Sequence, residues 1–176
     1  MERGAAVKPW QLVACVIAAC GVSDAAGLVL TPDGLGTTEI GTSASQMERM
    51  LRQKILPVGE GCVVVAADDG RFPGISYVIE DKRVSRINVD YYGNSEQPLA
   101  IRTAAGIGLG STEDDVKKAY GDRVRIEPNP GDPTWHYLYV DEPDHARGLA
   151  FDTDGKTVKS MHSGTYPALG YKQGCS

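Results

Sequence analysis

The side chains best suited to acid–base or metal chemistry gather in one stretch of the second half of the chain. His136, Asp141, Asp144 and His145 lie there, with Glu142 among them. Imidazoles and carboxylates act as general acids and bases in hydrolysis, and they are also ligands of metal ions. In a proline-containing loop such residues are usually solvated. We therefore favour a solvated loop, and a hydrolase that uses His136, Asp141, Asp144 and His145 is the alternative.

Aromatic side chains alternate along the segment 135–140, which has the pattern of a strand. One face presents Trp135, Tyr137 and Tyr139, whereas the other presents a histidine and two aliphatic residues. A sheet covered on one side should alternate apolar with polar residues, so neither face of this strand looks simply solvated. Tyr and Trp dominate binding hot spots, and the three aromatic residues are candidate anchors for a partner. The alternative is that long loops at 90–100 and 126–134, or the C-terminal tail, cover them.

The N-terminus has the pattern of an export signal. Arg3 and Lys8 precede ten almost wholly apolar residues, which run from Trp10 to Ala19. A short basic segment followed by an apolar segment of about 7 to 15 residues is typical of a secretory leader, and it is too short to span a bilayer. A buried N-terminal helix is the structural alternative.

The apolar segment ends in Ile17-Ala18-Ala19-Cys20, which resembles the bacterial lipobox. The resemblance implies that a diacylglycerol is attached to the thiol of Cys20 and that residues 1–19 are removed. A second candidate, Leu12-Val13-Ala14-Cys15, would leave an apolar segment of only five residues. An ordinary secretory leader without lipid attachment is the alternative. Two or three acyl chains are enough for stable anchoring. We expect a protein anchored to a membrane of the cell envelope, outside the cytoplasm, and in the outer membrane if the host is Gram-negative.

Cysteine counting predicts one disulfide. Of the four cysteines, Cys15 leaves with the leader and Cys20 becomes a thioether, so that Cys62 and Cys175 remain. The expected compartment is oxidising, which favours a bridge between them. Two free thiols are the alternative, and no cysteine or histidine spacing supports a zinc site.

Composition excludes several classes of protein. The chain has 176 residues, a formal net charge of -5 and a hydrophobic content of 41%, and its isoelectric point is about 5.2. An acidic chain lacks the basic footprint of a nucleic-acid-binding protein. The glycine-rich segment 106–111 has neither a dinucleotide fingerprint nor the lysine of a phosphate-binding loop, and no cofactor is predicted.

A duplicated pattern organises the mature chain. Gly41 and Gly110 each precede an amphipathic stretch, with apolar residues at the spacing of one helix face. Ser43 with Gln46 and Thr112 with Asp115 are capping signals at the starts of these helices. The pattern predicts helices near 43–55 and 112–120.

Strand patterns follow each predicted helix. They lie near 62–66, 74–80 and 83–89 in the first half, and near 135–140, 148–152 and 157–161 in the second. The predicted organisation is a tether at 20–30, a first repeat at 31–90, a connector at 91–102 and a second repeat at 103–176. Two such repeats predict an α+β fold, a two-layer sandwich in which two antiparallel meanders share one sheet with the helices on one face.

The motif Gly110-x-Thr112-x-x-x-Val116-x-x-x-x-Gly121 resembles the helix start of the β-lactamase-inhibitory protein and of SmpA/OmlA-type outer-membrane lipoproteins. Those folds place a helix-loop-helix against an antiparallel sheet, and the inhibitory protein carries the unit twice. The part of the chain from Thr103 to Cys175 is also similar to uncharacterised bacterial secreted proteins and lipoproteins. The resemblance implies the architecture rather than inhibition of a β-lactamase. We expect a non-enzymatic envelope module that binds another protein or an envelope component, and a purely structural lipoprotein without a specific ligand is a further alternative.

Overall fold

A computed structural model describes residues 28–55, 61–67, 74–91 and 100–176. The predicted leader, Cys20 and nearly all of the tether lie outside these residues. Within the described part, strands predominate and two short helices accompany them, so the chain has an α+β fold with two sheets. Neither helix is long and apolar enough to cross a membrane.

The strands fall into two groups by sheet. The larger sheet consists of β4 (Cys62–Ala66), β5 (Ile75–Glu80), β6 (Arg83–Asp90), β8 (Val124–Pro128), β9 (His136–Asp141), β10 (Arg147–Thr153) and β11 (Val158–Thr165). The smaller sheet consists of β1 (Val29–Thr31), β2 (Gly34–Leu35), β3 (Thr38–Glu39) and β7 (Arg102–Thr103). The helices are α1 (Ala44–Leu51) and α2 (Glu113–Tyr120).

The larger sheet has the order β4-β5-β6-β11-β10-β9-β8, and all its pairs are antiparallel. Two meanders meet where β6 pairs with β11, in a register that places Asn88 opposite His162. The smaller sheet has the order β3-β2-β1-β7, and its β1–β7 pair is parallel.

The main core lies against one face of the larger sheet. Phe151, Leu138 and Met161 are fully buried there, on three adjacent strands. Met47 of α1 and Val116 of α2 belong to the same cluster and are also fully buried. Helices of eight residues are not stable by themselves. Both helices bury an apolar residue in this one core, so packing against the sheet stabilises them.

Both helices begin as the sequence predicts. Thr112 and Asp115 form a complete capping box, in which each side chain bonds the backbone N–H of the other residue. The Ser43 hydroxyl accepts from the Gln46 N–H at 3.3 Å, and Gly121 caps the end of α2 with φ 60°. Local side-chain hydrogen bonds therefore set the positions of the helix starts.

Several elements differ from the sequence expectation. Helix α1 ends at Leu51, several residues before the expected end, because Arg52 adopts a left-handed conformation with φ 55°. Strand β11 continues to Thr165, and β8 and the smaller sheet were not expected. The end of β11 pairs with the distant β6, and β1 pairs with the distant β7, which local periodicity does not reveal. The strands β2, β3 and β8 pair with neighbours close in sequence, and their short or irregular patterns did not mark them as strands.

Candidate binding surface

The face of the larger sheet that points away from the main core is rich in polar groups. Register places Tyr137 beside Asp152, Tyr139 beside Ala150, and His162 between Ala150 and Asn88. We call this surface the polar face and define it by Ser76, Arg86, Asn88, Tyr137, Tyr139, Asp152 and His162. Side chains alternate across a strand, so the apolar neighbours of these residues point into the core.

The last residues of the chain, 166–176, lie across the polar face, and we call them the C-terminal strap. A short 3-10 helix at Ala168–Gly170 buries Ala168 and Leu169 completely or almost so. Leu169 packs with Tyr137, Tyr139 and Ala150 in a second apolar cluster. The strap thus belongs to the folded structure rather than trailing from it.

The predicted disulfide is confirmed. Cys175 of the strap is bonded to Cys62 of the edge strand β4, with 6.1 Å between the Cα atoms and 113 residues of sequence separation. The bridge ties the end of the chain to the first meander. The strap is therefore fixed at both ends, by the chain at Thr165 and by the disulfide near its terminus.

Arg86 is the charged group of the polar face that the strap contacts most directly. Its side chain is 4% exposed, and Nη1 donates to the carbonyl oxygens of Ala168 at 3.0 Å and Tyr171 at 2.7 Å. Burial lowers the pKa of Arg86, whereas the negative charges of Asp152 and Asp90 act in the opposite direction. Two neutral carbonyl groups of the strap are thus the hydrogen-bond partners of a buried guanidinium.

Lys172 of the strap covers the predicted aromatic anchors. Its ammonium lies 3.7 Å from the ring centroid of Tyr137 and donates to the hydroxyl of Tyr139. Arg125 lies over the Tyr139 ring at 4.4 Å. Tyr137 and Tyr139 are only 9% and 3% exposed, so a partner reaches them only if the strap moves.

Trp135 has a different environment from the two tyrosines. It precedes β9, is partly exposed, and exchanges backbone hydrogen bonds with the loop before it, at Asp132 and Asn129. Of the three predicted anchors, Trp135 is the one that is accessible with the strap in place.

Sequence analysis missed His162, which lies at the centre of the polar face. Its Nδ1 is 2.9 Å from Asn88 Oδ1, and its Nε2 is 3.2 Å from Asp152 Oδ2. Asn88 in turn donates to the Ser76 hydroxyl at 2.9 Å. The sequence does place a polar residue inside each of three strands, namely Asn88 in β6, His162 in β11 and Asp152 in β10. Only the register shows that these three positions meet.

His136, a residue of the alternative acid–base cluster, pairs with a carboxylate outside that cluster. Its Nδ1 is 2.8 Å from Glu113 Oε1, which also accepts from the Thr153 hydroxyl. Burial raises the pKa of Glu113, but the hydrogen bonds from Thr153 and His136 outweigh it, and the net shift is downward. Glu113 starts α2, so this pair joins the helix to β9 and β10.

The convergence of His136 with Asp141, Asp144 and His145 that the hydrolase alternative requires is not formed. His136 and Asp141 are at opposite ends of β9, a distance of about 17 Å at about 3.4 Å per residue. Asp141 accepts from the Tyr166 hydroxyl at 2.7 Å and lies 3.9 Å from His145 Nδ1, whereas Asp144 accepts from the Ala146 N–H. Among the described residues, no group of three or more histidine, cysteine or acidic residues could hold a metal ion.

Ionisation of Tyr139 is expected to destabilise the protein at alkaline pH. Burial is the main cause that raises its pKa to about 12, above the value near 10 in an unfolded chain. Between these two pKa values the unfolded chain loses the Tyr139 proton and the folded protein keeps it. The free energy of unfolding is therefore highest below pH 10 and falls as the pH rises through the pKa of the folded state. Tyr139→Phe should remove this loss, which amounts to about 1.4 kcal/mol at pH 11, one unit above the pKa of the unfolded chain.

Urea unfolding at pH 8 and pH 11 measures the effect. Tyr91→Phe is the matched control, because Tyr91 is 36% exposed. An equal fall in stability for wild-type protein and Tyr139→Phe would contradict the assignment.

The comparisons with known proteins returned no match. No protein-family model, no curated protein and no solved structure matches the chain.

Proposed function

We propose that this protein is exported, anchored by a lipid at Cys20 to a membrane of the cell envelope, and serves there as a non-enzymatic binding module. The observation that carries the proposal is the disulfide between Cys62 and Cys175. Disulfides persist in oxidising compartments outside the cytoplasm. The bridge agrees with the export signal that the first nineteen residues resemble, and the two features are independent of each other.

The hydrogen-bond partners of the three histidines favour a binding role. The three imidazoles pair with carboxylates or an amide: His136 with Glu113, His145 with Asp141, and His162 with Asp152 and Asn88. No hydroxyl or thiol in the described parts of the chain hydrogen-bonds to one of them, as a nucleophile activated by a histidine would. The polar face and the nearby Trp135 supply aromatic and charged groups suited to recognition.

We further propose that the scaffold arose from two tandem repeats, with both helices on one face of the larger sheet. Gly41 N–H donates to Val84 O at 2.7 Å, and Gly110 N–H donates to Val158 O at 2.9 Å. The next pair of bonds is also equivalent, because Val84 N–H donates to Thr42 O and Val158 N–H to Ser111 O. The matching bonds support a duplicated helix start, and the shared core position of Met47 and Val116 supports one helix face.

Replacing Cys20 tests the anchor. In its native host, the protein should partition with membranes, whereas Cys20→Ala should leave it in the soluble fraction because no acyl chain can be attached. Cys15→Ala is the matched control and should still partition with membranes. Mass spectrometry should find the mature N-terminus at an acylated Cys20. Full membrane retention of Cys20→Ala, or an intact Met1 end with a free thiol at position 20, would refute the proposal.

A further inference from the structure

We infer that two copies of this chain associate through the outer side of the edge strand β4, paired antiparallel and centred on Val64. The association joins the larger sheets of the two copies into one continuous sheet. This inference goes beyond the proposed binding function, because it concerns the edge of the larger sheet and a second copy of the chain. It does not depend on the lipid anchor.

The backbone of β4 directs alternate groups away from the larger sheet, of which it is one edge. Gly61 and Ala67 each hydrogen-bond to the segment 75–81, which contains β5. Bonded pairs alternate with non-bonded pairs in an antiparallel ladder, so the odd-numbered residues of β4 bond β5. The even-numbered residues point their N–H and C=O groups outward, and they are Cys62, Val64 and Ala66.

These outward groups have a single partner within the described parts of the chain. It is the Gln53 side chain, whose Nε2 donates to the carbonyl oxygen of Ala66 at 3.1 Å. A carbonyl oxygen has two lone pairs, so it can accept a second hydrogen bond. A row of backbone groups of this kind is a template for pairing with another strand.

The side chains of β4 do not block such pairing. The strand contains neither a charged residue nor a proline. Val64 is 43% exposed and Ala66 is also exposed, so the solvent side of this strand is apolar. The opposite edge, β8, carries Arg125, Glu127 and Pro128, which are residue types that discourage edge pairing. Of the two edges, β4 is therefore the one suited to a partner strand.

The sequence of β4 favours a second copy of this chain as that partner. Cys-Val-Val-Val-Ala reads nearly the same in both directions. In an antiparallel pair centred on Val64, this residue lies opposite its own counterpart, and each outward-facing residue exchanges both N–H···O bonds with the residue opposite it. Val63 then lies opposite Val65 of the second copy, a pair of β-branched residues that stabilises a sheet. No like charges meet within the strand pair.

The geometry also sets the size of the assembly. Pairing of β4 with β4 has two-fold symmetry and uses the same edge of both copies, so it closes at a dimer. The charged β8 edges remain at the two ends of the joined sheet. An interface built mainly on one short strand is small, and we expect the dimer to be weak and reversible.

Hydrogen exchange of the backbone amides, followed by nuclear magnetic resonance, tests the pairing. The sample is full-chain protein carrying Cys15→Ala and Cys20→Ala, compared at about 50 µM and about 1 mM. The amides of Val64 and Ala66 should exchange at least about threefold more slowly at the higher concentration, because only the dimer bonds them. The amides of Val63 and Val65 bond β5 and should be protected at both concentrations. Ile126 of β8 is the control, and its exchange should not depend on concentration.

Two further measurements locate the contact. Sedimentation equilibrium over the same concentrations should show a monomer in exchange with a dimer. In a mixture of isotope-labelled and unlabelled protein, a nuclear Overhauser effect should connect the Hα of Val63 with the Hα of Val65 in the second copy. Such residues form a non-hydrogen-bonded pair, with Cα atoms about 4.5 Å apart.

A pair of substitutions at Val64 tests the centre of the interface. Val64→Lys places two like charges opposite each other and should abolish the dimer. Val64→Thr is the matched control, because it keeps an uncharged β-branched side chain, and it should still form the dimer. Val64 is exposed, so both variants should fold as the wild-type protein does, which circular dichroism checks.

Several results would overturn the inference. A wild-type protein that sediments as a monomer at about 1 mM would exclude self-association, and protected Val64 and Ala66 amides in that monomer would show that another segment of the same chain covers the edge. A dimer that Val64→Lys retains, or that lacks the contact between Val63 and Val65, would place the interface elsewhere. Every sample lacks the lipid site, so failure here is distinguishable from failure of membrane anchoring.

Discussion

Loss of the Cys62–Cys175 disulfide is expected to lower the free energy of unfolding by about 4 to 5 kcal/mol in the chain-entropy model. The bridge closes a loop with a sequence separation of 113 residues, and a cross-link over a long loop removes many conformations from the unfolded state. Cys175 is exposed, so a mild dithiol should reduce the bond without denaturant.

Urea unfolding of wild-type protein and the Cys62→Ser/Cys175→Ser variant measures this loss. The denaturation midpoint of the variant should not change on addition of dithiol, which is the internal control. Reduced wild-type protein should match the variant. A difference below about 1 kcal/mol between the oxidised and reduced forms would show that the unfolded chain is already restricted without the bridge.

Phe151→Ala is expected to cost about 3 to 5 kcal/mol, the range for removal of a buried aromatic ring. Phe151 is fully buried in β10, where it lies opposite Met161 on one side and Leu138 on the other. Its ring centroid is 5.9 Å from that of Tyr120 at the end of α2. The substitution therefore opens a cavity at the contact between the sheet and the second helix.

Phe151→Leu is the matched control, because it keeps apolar volume and should cost less than half as much. Circular dichroism during urea titration reports both variants, and an alanine variant that is fully unfolded in buffer also agrees with the expectation, since whole domains have only about 5 to 15 kcal/mol of stability. Equal stability of the alanine and leucine variants would contradict this packing.

Local patterns accounted for the helix starts and the disulfide. The capping box at Thr112 and Asp115 is made by residues three apart, so the sequence alone predicts it. The disulfide followed from counting, because only two cysteines remain after the predicted leader and the predicted lipid site are set aside. The two capping residues are close in sequence, and the two cysteines have only one possible pairing.

Contacts across long sequence distances escaped prediction. Glu113 and His136 are 23 residues apart, and His162 and Asn88 are 74 apart. Each pair forms only because the strand register brings two unrelated segments together. His136 and Asp141 are close in sequence, but the extended strand β9 places them at its opposite ends.

The amino-acid sequence by itself determined the helix caps, the α+β class and the pairing of Cys62 with Cys175, because each depends on neighbouring residues or on a count. It also placed Tyr137 and Tyr139 on one face of a strand. Only the tertiary structure decided that this face lies beneath the C-terminal strap and that Arg86 is buried there, with no hydrogen-bond acceptor for its Nε in the part of the chain that the structure describes. Ala168 and Tyr171 of the strap accept hydrogen bonds from Arg86, which is 82 and 85 residues away from them in sequence, and contacts at such separations are set by packing of the whole chain rather than by local pattern.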